Sequence, residues 1–189
     1  MRKWSRKNSL SGLKLRSEMD AREANVLRSL VGAVSGLLTE RADSAPDDDL
    51  AALTGLRTGN TNPPDDPRLH RLLPDFHRSE PGSPDADRAD LNSALRGLHE
   101  QEIIDAKLAA GAVVLETVPA SGGKVQLTPE QADAWLHALT DVRLTLGTVL
   151  EIDADTPDHL DPDDPRAASL DVYHWLTWMQ DSLLQALAP

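Results

Sequence analysis

Four stretches of this chain repeat apolar residues at the helical period, and that recurrence constrains its fold more than any other feature. Behind a start of the form Asp20-x-x-Glu23, the residues Val26, Leu27, Leu30, Val31, Val34, Leu37 and Leu38 recur three and four apart. Leu91, Leu95, Leu98, Ile103, Ala106, Ala110, Val113 and Val114 form a second run, and Trp135, Leu136, Leu139, Val142, Leu146, Val149 and Leu150 a third. The fourth carries Leu170, Tyr173, Leu176, Leu183, Leu184 and Leu187. Residues at this spacing share one helix face, which is buried only against a neighbouring element. The pattern predicts helices over about 20–41, 87–118 and 129–151, and from Pro165 onward.

Punctuation sharpens these limits. Asp66-Pro67, Thr128-Pro129 and Asp164-Pro165 each place a capping side chain before a Pro that needs no donor. Gln131 completes a capping box with Thr128, and Glu23 one with Asp20. "DPRLHRLLPDF" reads as a short helix stopped near Pro74, and Asp47 to Asp49 stand before a short apolar stretch ending at Gly55. Gly32 and Gly36 are expected to admit a close helix neighbour, and Gly97 or Gly111 to bend the second long helix.

Leu13 and Leu15 alternate with Lys14 and Arg16, and Val125 and Leu127 with Lys124 and Gln126. That period of two predicts two short strands, paired with each other. The expected fold is mainly α: a compact multi-helix domain over 10–189 with a small two-stranded β element. A flexible loop is expected near 77–88, in "HRSEPGSPDADR", and a basic arm over residues 1–9.

Charge is unevenly spread. Residues 1–16 hold six Lys or Arg and no acid, whereas the whole chain carries −12, leaving −18 for residues 17–189. An acidic body repels nucleic acid over its general surface, so any such contact is local. The arm is the candidate, with Arg2, Lys3, Arg6 and Lys7 on phosphates and Trp4 stacking or wedging. The competing reading is a solvated tail or an ordinary strand edge, where Lys discourages edge pairing.

Other chemistry finds little support. The 189 residues include no Cys, which removes disulfides, thiolate metal sites and thiol nucleophiles. No G-x-S-x-G elbow, S-x-x-K motif or phosphate loop occurs. Asp161, Asp163 and Asp164 with His159 read as caps and solubilising charge rather than as a hard-metal site. His137 and His174 lack the spacing of a zinc pair. Asp141 and Arg143 share one helix, as structural charges commonly do. Catalytic residues, metal ligands and cofactors are therefore expected to be none. No apolar run approaches a membrane span and no signal-peptide core follows the basic start, so a cytoplasmic protein is expected. Tyr173, Trp175 and Trp178 on the last helix are either core or an anchor for a partner, including a second copy.

The blocks "LTGLRTGN", "DPRLHRLLPDFH", "ALRGLHEQEIIDAK", "AWLHALTDVRLTLGTVLEI" and "LDVYHWLTWMQDSLLQAL" stand in one order across nearly the whole chain. In them the chain resembles the actinobacterial oxidative stress regulator family, long catalogued only as a domain of unknown function. The resemblance implies a transcription regulator that works through a stress sigma factor and RNA polymerase; with the motif search and the basic arm, the expected function is a non-enzymatic regulator with promoter DNA as a candidate further partner. The alternative is a protein adaptor or scaffold linked to regulated proteolysis, without DNA binding. The family's characterised sensing uses a redox-active cysteine pair; with no Cys here, that switch does not carry over. Met19 and Met179 are the remaining sulfur candidates.

Overall fold

The computed structural model describes residues 1–9, 12–46, 59–77, 85–161 and 163–188. Within them lie β1 (Ser5–Ser9), β2 (Gly12–Met19), α1 (Ala21–Asp43), α2 (Pro67–Leu72), α3 (Asp85–Thr117), β3 (Gly123–Leu127), α4 (Pro129–Val149) and α5 (Ala167–Leu187). The mainly α architecture is the one expected. The stretch before Gly55 lies outside the described residues, as does most of the 77–88 loop, while α3 already begins at Asp85.

Helix starts follow the capping chemistry in three cases. The Asp20 carboxylate accepts from the Glu23 N–H at 2.8 Å, and Glu23 accepts from the Asp20 N–H at 2.8 Å. Thr128 and Gln131 form the same reciprocal pair. Asp66 accepts from the Arg68 N–H at 2.8 Å, ahead of Pro67. The fourth start departs from expectation: α5 begins at Ala167 behind Arg166, which makes no side-chain cap bond. Asp164 instead accepts from the Arg166 N–H at 2.8 Å and pairs with its guanidinium at 3.0 Å. It closes a turn one step before the helix.

The expected strand pairing is present, β2 antiparallel to β3 with Leu15 opposite Leu127 and Ser17 opposite Val125. A third strand joins it. β1 pairs antiparallel with the other edge of β2, placing Ser5 opposite Arg16 and Lys7 opposite Lys14, in the order β1-β2-β3. The segment expected to be a free arm is therefore an edge strand.

Helix α4 is central: α1, α2, α3 and α5 all pack on it, and α5 also covers the inner face of the sheet. Trp135, Leu139 and Val142 of α4 are buried with Leu27, Val31 and Leu38 of α1, Ile104 and Val114 of α3, and Leu176, Met179 and Leu183 of α5. Helix α3 runs unbroken through Gly97 and Gly111. Close helix approach occurs at Gly111, where an added Cβ would stand 3.1 Å from Ser35 Oγ. At Gly32 and Gly36 it would meet nothing within 4 Å, so those two glycines do not make the contact expected of them. The α3 C-terminus directs the carbonyls of Leu115 and Val118 at the Arg28 guanidinium, 2.7 and 3.2 Å away, where a cation offsets the negative end of the helix dipole. Helix α4 ends in a Schellman turn: the Ile152 N–H donates to Gly147 O at 2.9 Å with Glu151 at φ 54°.

Candidate functional site

The basic N-terminal segment divides by alternation. Trp4 turns inward and is only 3 % exposed, so it belongs to the core rather than to a stacking surface. Its ring meets Trp135 edge to face at 5.4 Å, and its backbone N–H donates to Ser182 Oγ at 2.9 Å. Arg6 turns the same way and donates to the carbonyl of Ala188 at 2.9 Å, past the end of α5. Arg2, which is exposed, pairs with Glu18 at 3.2 Å. Lys3 and Lys7 are exposed. The expected set Arg2, Lys3, Trp4, Arg6 and Lys7 thus splits between core and surface.

The alternation that buries Leu15, Met19, Val125 and Leu127 turns Lys14, Arg16, Lys124 and Gln126 to the other face of the sheet. The register places Ser5, Arg16 and Gln126 in one row, Lys7 beside Lys14 in another, and Glu18 beside Lys124 in a third. Arg16 Nε donates to Gln126 Oε1 at 2.9 Å, which steadies its guanidinium. Arg2, Lys3, Ser5, Arg16, Lys124 and Gln126 line a shallow groove of about 470 Å³ along this face.

The aromatic residues of α5 are graded rather than grouped. Leu176 and Met179 are buried, Tyr173 and Trp175 half-buried, and Trp178 is 41 % exposed. Leu184, two turns away, is 50 % exposed. Arg143 lies over the Tyr173 ring, 5.3 Å from its centroid, and also donates to Gln180 at 2.7 Å. The Trp175 ring lines a separate hollow between the starts of α1 and α5, with Asp20, Arg22, Val26 and Asp171.

A buried ionic cluster joins α1 to α3. Glu100 accepts from Arg41 at 2.7 Å and from Arg96 at 2.6 Å. The Arg96 side chain is 1 % exposed and also reaches the carbonyls of Leu73 and Pro74 and the carboxylate of Asp75. Arg41 reaches the carbonyl of Asn62 at 2.6 Å. The cluster therefore holds the two segments that flank α2 against the helices. Sequence reading missed it, because Arg96 and Glu100 at i, i+4 look like an ordinary surface pair.

A groove of about 590 Å³ runs between α3 and α4. In it Lys107 Nζ donates to Asp141 at 2.6 Å. Burial pushes the Asp141 carboxyl above its ordinary 3.8, and Lys107 works against that rise. His137 opens on the same groove beside Asp133, both well exposed, whereas His174 lies near His159 and Tyr173. Among the described residues no group of three or more His, Asp or Glu is placed to hold a metal ion. No helix there is long and apolar enough to cross a membrane.

The family model described as "Domain of unknown function (DUF2017)" matches residues 1–187. The chain is 44% identical over 193 residues to the oxidative stress regulator AosR of Mycobacterium tuberculosis (strain ATCC 25618 / H37Rv), covering 99% of this chain and 88% of that protein. It is equally similar, at 44% with the same coverage, to the putative oxidative stress regulator AosR of Mycobacterium leprae (strain TN). No solved structure matches the chain.

Proposed function

Since the chain belongs to the DUF2017 family, that of the AosR oxidative stress regulators, we propose that it regulates the oxidative stress response without catalysis, by binding a stress sigma factor or RNA polymerase. The regulators' names support a regulatory role in oxidative stress. The observation that carries the mode of action is Trp178, an aromatic side chain 41 % exposed on a helix whose other face is core. Aromatic residues dominate the energetics of protein interfaces, and an exposed Trp on a rigid helix loses little freedom on docking. Tyr173 and Trp175 support the anchor from the half-buried side. In this reading the basic N-terminal segment adds a contact with promoter DNA.

The test is capture by a tagged chain from oxidant-stressed cells, wild type beside Trp178→Ala. Wild type retains a sigma factor or polymerase subunits and the variant loses them while keeping a cooperative unfolding transition, since Trp178 lies outside the fully buried core. Recovery of protease components alone would overturn this reading in favour of the adaptor.

A further inference from the structure

We infer that the outer face of the three-stranded sheet is a contact surface for the phosphate backbone of double-stranded nucleic acid. The inference rests on the nucleic-acid part of the reading above and changes its site. The surface is not a flexible arm but a face shared by three strands, and half of its cations, Lys14, Arg16 and Lys124, lie outside the arm expected over residues 1–9.

Five cations, Lys3, Lys7, Lys14, Arg16 and Lys124, belong to this face, and none has a carboxylate within ion-pair distance among the described residues. Among the described strand residues its one acid, Glu18, pairs with Arg2. Glu130, in the first turn of α4, has its carboxyl lowered by the Thr128 side chain and lies near enough to Lys14 for that charge to help. These six cations and one acid give +5 in a chain of −12, so everything else carries −17. A polyanion is repelled by the body and has one favourable landing place, which also fixes its orientation.

The arrangement is costly unless something anionic covers it. Lys7 and Lys14 stand directly opposite each other on neighbouring strands. Like charges in that relation destabilise a sheet, and a bound phosphate turns the repulsion into two attractions. The face spans about 10 Å across its strands and about 14 Å along β2 from Lys14 to Glu18, enough for several phosphates.

Its chemistry favours nucleic acid over an acidic protein. The buried apolar residues of the sheet, Leu15, Met19, Val125 and Leu127, turn inward with Trp4, so among the described residues the outer face has no anchor of the kind that carries protein interfaces. What remains is Lys, Arg and the Gln126 amide N–H groups, donors that hold phosphate and sugar without reading bases, while the Ser5 hydroxyl donates to the Arg16 carbonyl. The absence of an outer aromatic also removes the stacking platform that single strands use, which leaves the duplex.

Fluorescence anisotropy of the purified full chain with labelled duplexes, across a salt series, tests this. Wild type binds duplexes of unrelated sequence alike, with log affinity falling against log salt at a slope of about −3 to −4. Lys7→Gln/Lys14→Gln/Lys124→Gln lowers low-salt affinity at least roughly tenfold and flattens the slope by about 2–3. Its unfolding midpoint stays the same or rises, since a repulsive pair is removed, so loss of binding is not loss of fold. Unchanged binding in that variant, or equal binding of poly-glutamate, overturns the inference. Because only protein and duplex are present, failure here leaves capture of a sigma factor through Trp178 standing, and failure of that capture leaves this result standing.

Discussion

Trp4 meets Trp135 edge to face, with ring centroids 5.4 Å apart and planes at 84°, and this contact ties the N-terminal segment to the central helix. Both side chains are almost wholly buried, yet Trp4 Nε1 has no hydrogen-bond partner among the described residues, whereas Trp135 Nε1 donates to Thr117 Oγ1 at 2.8 Å. Trp4→Ala is expected to cost about 3–5 kcal/mol in denaturant unfolding, the usual range for truncating a buried aromatic. Trp4→Phe should cost much less, because it keeps most of the packing and removes a buried donor that is unsatisfied. A Trp4→Ala change smaller than about 0.5 kcal/mol would mean that the segment is a detached arm after all.

Glu100 is the shared acceptor of Arg41 and Arg96, and its side chain is 1 % exposed. Glu100→Ala leaves the Arg96 guanidinium buried without its main counter-charge, which should destabilise the fold by about 3–5 kcal/mol. Replacing Arg96 as well, by Met in the same variant, should recover part of that loss. A double-mutant cycle on chemical unfolding reads the coupling directly, and additive effects would show that the cluster does not act as a unit.

These two sites show what local pattern carries and what it cannot. Leu13, Leu15, Val125 and Leu127 were legible as strand residues because one face of each strand is apolar, and period two follows from that. β1 has no such stripe: the buried Trp4 lies just before it, and Arg6 and Asn8, on the same side as Trp4, are both exposed. Its pairing depends on the open edge of β2 and on Ser182 of α5, which are far away in sequence. Arg41, Arg96 and Glu100 sit at helical spacing on faces that look solvated until the segments around Asn62 and Leu73 cover them. Trp178 was legible as an aromatic on the last helix, but only the packing separates it from its buried neighbour Met179.

Asp141 gives the fold a pH dependence of definite sign. Burial holds its carboxyl above 3.8, so the folded chain binds this proton more tightly than the unfolded chain does. Its favourable contribution is complete below 3.8 and is lost as pH rises through the elevated folded value. The stability of wild type relative to Asp141→Asn should therefore fall as pH is raised from acid to neutral. Lys107→Met should steepen that fall, because Lys107 is the partner that favours the ionised form. Urea unfolding of the three proteins across a pH series reads this, and a relative stability that climbs with pH would reverse the assignment.

Sulfur oxidation on this chain is confined to its three methionines, Met1, Met19 and Met179, since it has no Cys among 189 residues. Met19 is 2 % exposed, beneath the sheet, and Met179 is 0 % exposed between α4 and α5. Thioether oxidation requires a peroxide to reach the sulfur, so both should remain unmodified in the folded protein under conditions that oxidise them in urea. Peptide mass spectrometry after peroxide treatment measures each site separately. Protection of both would show that these two sulfurs are not where an oxidant acts on the folded chain. Oxidation of Met179 at the unfolded rate would show instead that α5 opens locally, and with it the face that carries Trp178.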